Sequence, residues 1–226
     1  MHIKKTEMPT SWPVPRKGKR KRFMAVPSHA TSRGISLLFL LRDVLKIAKT
    51  RKEARYMTLS GMVRVNNVVR RDENFPVQVF DTLNLEKGGL NYRLEIVNRK
   101  FSLKEISEKE AESKIVKISG KKILKNGKVQ MNLDDGQNIL SKEKFSVGDS
   151  VVLRTTVGNE KSVVRSVEKV LALKEGASVE VVVGKHAGEK GKLVGFEELV
   201  RGRAYVIKFE DGREVSLPFK TVLVIG

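Results

Sequence analysis

The sequence contains no cysteine among its 226 residues. This absence excludes a disulfide framework, a thiolate nucleophile, and cysteine-based zinc or iron–sulfur sites. Aromatic residues are also scarce, at 6% of the chain with one tryptophan, so several small cores fit the composition better than one large core. The longest unbroken apolar run is Leu37–Leu41, whereas a membrane-spanning helix needs about 20 apolar residues. We therefore expect no transmembrane segment, and the N-terminus lacks the apolar core of a signal peptide.

Acidic residues are too few to balance the basic ones. The chain has 45 Lys and Arg against 26 Asp and Glu, which gives a net charge of +19. Residues 1–72 hold 18 of the basic residues and only four acidic ones, so about three quarters of the net charge lies in the first third. A charge this uneven indicates a binding end for a polyanion, joined to a nearly neutral scaffold.

The N-terminal segment carries the densest block of charge. Residues 16–22 include six cations, and four of the six prolines fall within the first 27 residues. Because proline disfavours helices, residues 1–30 are predicted to be extended and irregular. Phosphate contact is favoured over a membrane anchor, since no acylation motif or amphipathic aromatic face accompanies the block. The candidate RNA-binding cations of this segment are Lys4, Lys5, Arg16, Lys17, Lys19, Arg20, Lys21 and Arg22. Trp12 could wedge into RNA or a neighbouring protein, or pack on its own domain.

Two helices and a hairpin are predicted next. Helical spacing of apolar residues extends from Ile35 to Ala48, with Ser36 as a possible N-cap. This helix would place Arg42, Lys46 and Lys49 on one face. Thr50 resembles the cap of a second helix, with Glu53 three residues on, and Gly61 is a natural end.

After Gly61 the apolar period changes from helical to alternating. Val63 to Val65 and Val68-Val69 form a predicted hairpin around Asn66-Asn67, because asparagine tolerates positive φ. Arginines predominate among the cations of this unit, and guanidinium groups bind phosphate in bidentate fashion. The predicted phosphate-binding surface comprises Arg42, Lys46, Arg51, Lys52, Arg55, Arg64, Arg70 and Arg71.

From residue 76 onward the pattern predicts short strands separated by turns. The candidate strands are Val77–Phe80, Tyr92–Val97, Ser113–Ser119, Lys128–Leu133, Ser150–Arg154 and Val179–Val183, with a helical turn at Ile106–Ala111. Tyr205, Ile207 and Phe209 alternate with polar residues, and Asp211-Gly212 predicts a hairpin. A glycine-rich basic loop precedes this pattern and holds Gly184, Lys185, His186, Gly188, Lys190, Gly191 and Lys192. The C-terminal section is predicted to be a small barrel-like β module.

Motifs for catalysis or cofactor binding are not found. The loop around Gly191-Lys192 lacks the upstream glycine and the following Ser or Thr of a P-loop. The three histidines lie far apart, so a metal site or a histidine-based triad is disfavoured. His186 is equally an exposed loop residue or a contact to RNA. Asp134-Asp135-Gly136 predicts a turn rather than an acid–base pair. We therefore expect no enzyme, no catalytic residue, no metal and no cofactor.

The order of several segments resembles the archaeal and eukaryotic small-subunit ribosomal protein family "S-four-e". The resemblance covers nearly the whole chain, and no single segment is specific alone. The segments that carry it are Ser11–Lys17, Leu38–Asp43, Glu53–Arg55, Gly61–Asn66, Val69–Asp72, Phe75–Val77, Asn91–Leu94, Asn132–Ile139, Val183–Val194 (which is similar to a KOW motif) and Val224–Gly226.

The resemblance implies an α+β multidomain fold. Its expected parts are a basic extended arm (1–35), an alpha-L RNA-binding domain of S-four type (36–90), a central β domain (91–172) and a C-terminal SH3-like KOW β-barrel (173–226). The implied function is that of a structural constituent of the small ribosomal subunit in the cytoplasm. The implied partners are small-subunit ribosomal RNA and neighbouring ribosomal proteins, with no membrane and no small-molecule substrate.

Two alternatives remain open at the level of sequence. Alpha-L domains also accompany pseudouridine synthases, although the Arg-Leu-Asp type of motif is missing here. A free transcription or translation factor could also use a KOW module.

Overall fold

The structure is a computed structural model of the chain, and it describes residues 2–15, 23–31, 33–86, 88–141, 143–157, 163–199 and 202–226. The predicted RNA-binding residues Arg16, Lys17, Lys19, Arg20, Lys21 and Arg22 lie outside the described residues. The chain divides into two compact units. Unit 1 comprises Met1–Ile96, Lys100–Ser113 and Thr155–Val164, and unit 2 comprises Val97–Arg99, Lys114–Arg154 and Arg165–Gly226. The four-part domain division stays a prediction.

Unit 1 combines short strands with short helices. Its strands are β1 (His2–Lys4), β2 (Phe23–Ala25), β3 (Gly34–Ser36), β4 (Val63–Val65), β5 (Val68–Val69), β6 (Pro76–Gln78), β7 (Thr82–Leu85), β8 (Leu90–Val97) and β9 (Lys100–Glu105). Its helices are α1 (Leu37–Phe39), which continues as a π-helix (Leu40–Val44), α2 (Arg51–Leu59) and α3 (Glu108–Ala111). The strands form a five-stranded sheet in the order β5-β4-β7-β8-β9 and two separate pairs, β1-β2 and β3-β6.

The predicted helix from Ile35 to Ala48 is wrong at both ends. Ile35 pairs with Val77 between β3 and β6, and the Leu37 N–H donates to the carbonyl of Phe75, so helix begins only at Leu37. The Ser36 side chain makes no capping hydrogen bond. Leu37–Leu41 is buried throughout, so this segment is a core helix rather than an amphipathic one. Lys46, with φ of +57°, lies beyond the helix, which removes the predicted helical face of Arg42, Lys46 and Lys49.

The second helix and the hairpin are confirmed. The Thr50 hydroxyl accepts a hydrogen bond from the Glu53 N–H, and α2 ends before Gly61, whose φ is +76°. The Glu53 carboxylate accepts from the Lys49 N–H at 2.7 Å, and this bond lowers the pKa of Glu53. Asn66 and Asn67 both adopt positive φ, as a two-residue hairpin turn between β4 and β5 requires.

Residues 2–15 and 23–30, predicted to be irregular, are partly paired and packed. β1 pairs antiparallel with β2, and the Phe101 N–H donates to the carbonyl of Ser11. Trp12 is fully buried in unit 1, with its ring centroid 5.8 Å from that of Phe39. Of the two alternatives for Trp12, the structure therefore shows packing on its own unit.

Unit 2 is almost entirely β-structure. Its strands are β10 (Ser113–Ile123), β11 (Val129–Leu133), β12 (Asn138–Ser141), β13 (Ser150–Val157), β14 (Val163–Leu171), β15 (Ser178–Val181), β16 (Lys190–Leu199), β17 (Gly202–Phe209), β18 (Glu214–Pro218) and β19 (Val222–Val224). They form two five-stranded sheets, in the orders β12-β11-β10-β13-β14 and β18-β17-β16-β15-β19. Each sheet has its own core, around Ile118 and Met131 in the first and around Val181 and Ile207 in the second.

The predicted strands are present, with altered ends. Val77–Phe80 is shortened to β6 because Phe80 has a φ of +65°. Val179–Val183 ends at Val181, and Gly191 and Lys192, predicted in the loop, belong to β16. The alternation of Tyr205, Ile207 and Phe209 is confirmed, since all three are buried. Sequence analysis did not predict β1, β2, β3, β7, β9, β12, β14 or β19.

Turn residues 134–136 have a structural role. The Gln137 N–H donates to the Asp135 carboxylate, and the Gly136 N–H donates to the carbonyl of Leu133. Asp135 also forms a buried ion pair with Lys114 at 2.8 Å. The prediction of a turn rather than an acid–base pair is confirmed.

Lys117 of β10 buries its ammonium group inside unit 2. The group donates to the carbonyl oxygens of Phe219 and Val222, the latter at 2.8 Å, and lies 3.8 Å from the ring centroid of Phe219. Burial lowers the pKa of Lys117 from 10.5 to about 8, and the negative charge of Asp134 offsets part of that shift. Folding therefore favours the neutral amine.

We expect Lys117 to make stability depend on pH. The unfolded chain binds the proton of the Lys117 ammonium group more tightly than the folded chain does. The contribution of Lys117 to the free energy of unfolding is therefore complete above pH 10.5 and is lost as the pH falls through about 8. Lys117→Met should remove up to about 3 kcal/mol of the pH dependence of the unfolding free energy. Urea titrations at pH 7 and pH 10.5 measure it, with Lys174→Met at an exposed lysine as the control. A wild-type–variant difference that is the same at both pH values would contradict the assignment.

Candidate nucleic-acid interface

The outer face of α2 presents cations and an aromatic ring together. Ala54 and Thr58 are the buried residues of α2. Lys52, Arg55, Tyr56 and Leu59 follow at spacings of three, four and seven residues, which places them on one stripe of the helix, and all four are exposed. We name this stripe the α2 face. Among the described residues, Lys52 and Arg55 take part in no ion pair.

Tyr56 is a candidate site residue that sequence analysis missed. Its side chain is 65% exposed. An exposed tyrosine beside two cations offers a stacking surface for a base next to charges for its phosphate. The signal was present in the sequence, because Tyr56 follows Lys52 by four residues in a confirmed helix.

The predicted arginines divide into paired and exposed groups. Arg51 donates to the buried carboxylate of Glu73, with its Nε at 3.0 Å, and this hydrogen bond and charge raise the pKa of Arg51. Arg64 of β4 is bound to Glu86, and Arg42 to Asp43 at 2.7 Å. These three cations have carboxylate partners within unit 1.

The segment after the hairpin lies beside the start of α2. The Arg51–Glu73 ion pair joins α2 to residues 70–75. In this segment the Arg70 guanidinium carbon lies 4.3 Å from the ring centroid of Phe75, so Arg70 also serves packing. Arg71 is exposed and takes part in no ion pair among the described residues. The structure therefore brings Arg51, Arg70 and Arg71 into one region of unit 1.

Three lysines predicted to bind RNA, two in the arm and one in the phosphate-binding surface, lie elsewhere in unit 1. Lys4 is exposed on β1, and Lys5 is half-buried in the turn that follows it. Lys46 is exposed in the segment between α1 and α2. No hydrogen bond or ion pair joins Lys4 or Lys46 to the α2 face among the described residues.

The glycine-rich loop of unit 2 is held by contacts within the unit. The His186 ring stacks on Phe209 at a centroid distance of 5.4 Å, and its Nδ1 lies 3.2 Å from the Glu189 carboxylate. Gly184 and Gly188 adopt positive φ, and Lys185 is exposed. Half of the imidazole surface available for stacking is therefore already used by Phe209.

The remaining loop residues belong to strand β16. A Cβ on Gly191 would lie 2.6 Å from the Lys208 carbonyl oxygen, so the close approach of β17 requires glycine here. Lys190 lies 4.0 Å from buried Glu180, and exposed Lys192 is opposite Lys208.

Neither a metal cluster nor a spanning helix accompanies these surfaces. Across the described ranges, no three His, Asp or Glu side chains converge as metal ligands. In the same part of the chain, no helix has the length and apolarity to cross a membrane.

Known proteins similar to this chain are ribosomal. The small ribosomal subunit protein eS4 of Archaeoglobus fulgidus is 35% identical over 229 residues, which cover 100% of this chain and 93% of that protein. That of Desulfurococcus amylolyticus is 35% identical over 236 residues, covering 100% of this chain and 92% of that protein. This chain belongs to the ribosomal S4e family.

The family model and a solved structure agree with this S4e assignment. The model of ribosomal family S4e matches residues 89–159, outside the α2 face. The crystal structure of the 30S ribosomal protein S4e from Thermoplasma acidophilum is similar at a TM-score of 0.68 and 23% identity, covering 86% of this chain and 95% of that one. The fold is thus a mostly β S4e-like fold. Because S4e is a family of ribosomal structural proteins, the pseudouridine synthase-like alternative is excluded and the chain is not an enzyme.

Proposed function

We propose that this chain is a structural constituent of the small ribosomal subunit and binds its ribosomal RNA through phosphate contacts. The names of the S4e relatives and the +14 charge of residues 1–72 support this proposal. Its place would be the cytoplasmic ribosome, beside neighbouring ribosomal proteins. We retain the arm, the alpha-L domain, the central β domain and the SH3-like KOW barrel as its proposed architecture.

The observation that carries the proposal is the exposed charge of the α2 face together with Arg71. Arg42, Arg51 and Arg64 already have carboxylate partners, so each would exchange one anion for another on binding phosphate. Lys52, Arg55 and Arg71 have no such partner among the described residues. Phosphates would therefore contact these three without breaking an ion pair, and a base could stack on Tyr56.

Reversing two of these charges tests the interface. Arg55→Glu with Arg71→Glu should weaken binding to a small-subunit ribosomal RNA fragment by about 10- to 100-fold, since two phosphate contacts become repulsions. Arg70 is left unchanged in this variant because its guanidinium group packs on Phe75. Filter-binding titration at fixed salt measures the affinity.

The matched control makes the same change in net charge at exposed lysines of unit 2. Lys174→Glu with Lys220→Glu should change the affinity by less than about threefold. Equal losses in both double variants would show a general charge effect and contradict the α2 face as the contact. Sedimentation of a lysate distinguishes the free-factor alternative, because a ribosomal constituent should cosediment with small subunits.

A further inference from the structure

A lysine-rich hairpin end in unit 2 lies outside the surface described above. Strands β10 and β11 pair through Lys121 with Met131, Lys122 with Gln130, and Ile123 with Val129. A turn closes the pair, with the Leu124 N–H donating to the Lys128 carbonyl at 2.8 Å and Gly127 at a φ of +69°. We name residues 121–128 the lysine tip. Its backbone is fixed by cross-strand hydrogen bonds at both ends of the turn.

The lysine tip concentrates charge of one sign. It holds four lysines in eight residues, and residues 118–133 contain no acidic side chain. All four lysines are exposed. Lys121 donates to the Phe145 carbonyl at 3.3 Å, whereas Lys122, Lys125 and Lys128 have no ion-pair partner among the described residues. Four such charges repel one another and favour a bound polyanion.

Several other cations of unit 2 are neutralised locally. Lys114 pairs with Asp135, Lys208 with Glu214, and Arg213 with Asp211. The lysine tip differs because three lysines without an ion-pair partner among the described residues fall within seven positions there. Ile123, between Lys122 and the turn, is 73% exposed, so the tip is not packed against the core of unit 2 at this position.

We propose that the lysine tip is a second ribosomal RNA contact, at which Lys122, Lys125 and Lys128 bind backbone phosphates. The proposal rests on the proposed function, because it takes the same RNA as its ligand. A two-stranded end with several exposed lysines fits backbone phosphates, and lysine, as a point charge, tolerates their varied geometry. An acidic protein segment is the competing occupant, and the experiment distinguishes the two.

The absence of cysteine permits a direct test in the full chain. Ile123→Cys introduces a single thiol at the exposed edge of the tip, to which an iron–EDTA group can be tethered. Hydroxyl radicals generated there should cleave the bound small-subunit ribosomal RNA at a few discrete nucleotides. Glu175→Cys, in an exposed turn of unit 2, gives the reference cleavage pattern and should not reproduce those cuts.

Charge reversal in the lysine tip is the second part of the test. Adding Lys122→Glu and Lys125→Glu to Ile123→Cys should abolish the tip-specific cleavage and reduce the slope of log affinity against log salt by about 1.5 to 2. Should that variant fail to fold, Lys122→Gln with Lys125→Gln removes the charge without adding repulsion. Binding without tip-specific cleavage overturns the lysine tip as an RNA contact but leaves the α2 face intact. If the unmodified chain does not bind the RNA, the proposed function fails and this inference fails with it.

Discussion

Trp12→Ala is expected to lower the free energy of unfolding by about 3–5 kcal/mol, the range for removing a buried aromatic side chain. Trp12 is fully buried and packs against Phe39 of α1. Its indole N–H has no hydrogen-bond partner among the described residues, so the expected loss comes from packing alone. The substitution would leave a cavity where the N-terminal segment packs against the rest of unit 1.

Urea unfolding followed by circular dichroism measures this loss. Fluorescence cannot compare the two proteins, because Trp12 is the only tryptophan of the chain. Tyr56→Ala is the matched control, since it removes an exposed aromatic ring and should cost less than about 0.5 kcal/mol. A loss below about 1 kcal/mol for Trp12→Ala would show that the N-terminal segment is not packed against the rest of unit 1 in solution.

Docking of Trp12 has a consequence for binding. Ordering a disordered arm on RNA would cost conformational entropy for each residue fixed. Residues 2–15 are already held in unit 1 by the β1–β2 pair and by Trp12. The entropy cost of binding is therefore smaller than the proline-rich composition suggests.

Local signals in the sequence predicted local structure correctly. The Thr50 cap, the Gly61 terminus and the Asn66-Asn67 turn each depend on residues within about four positions, so spacing alone identifies them. The predicted ends of the first helix were wrong because they depend on residues that are distant in the sequence. Its start is set by β3–β6 pairing and by the hydrogen bond from Leu37 to Phe75, and periodicity within a window does not contain such distant partners.

In the candidate site too, sequence spacing predicted the local features but not those that depend on distant residues. Sequence spacing predicted which cations lie on α2, but not which of them have partners. The carboxylates that bind Arg51 and Arg64 each lie 22 residues further along the chain. The sequence around the lysine tip already shows a turn within a stretch that has no acidic residue. The tip was not predicted as a binding site because its positive charge is less dense than that of residues 16–22.

Affinity for small-subunit ribosomal RNA is expected to fall by about 10³- to 10⁵-fold between 50 and 200 mM monovalent salt, if about 6–10 phosphates are contacted. Each contact releases condensed counterions, and added salt opposes that release. The excess of 19 basic over acidic residues is large enough for 6–10 phosphate contacts. Titrations across four salt concentrations at fixed magnesium give the slope directly, and an affinity that does not change with salt would contradict binding through phosphates.

The slope also separates exposed from paired cations. Replacing Arg55 and Arg71, which have no ion-pair partner among the described residues, should reduce it by about 1.5 to 2. Arg64 is bound to Glu86, and RNA would first have to displace this carboxylate. Arg64→Gln should therefore reduce the slope by less than about 0.7, the value for one phosphate contact. If Arg64→Gln changed the slope as much as a single Arg55→Gln, the ion pairs within unit 1 would play no part in selecting which arginines bind RNA.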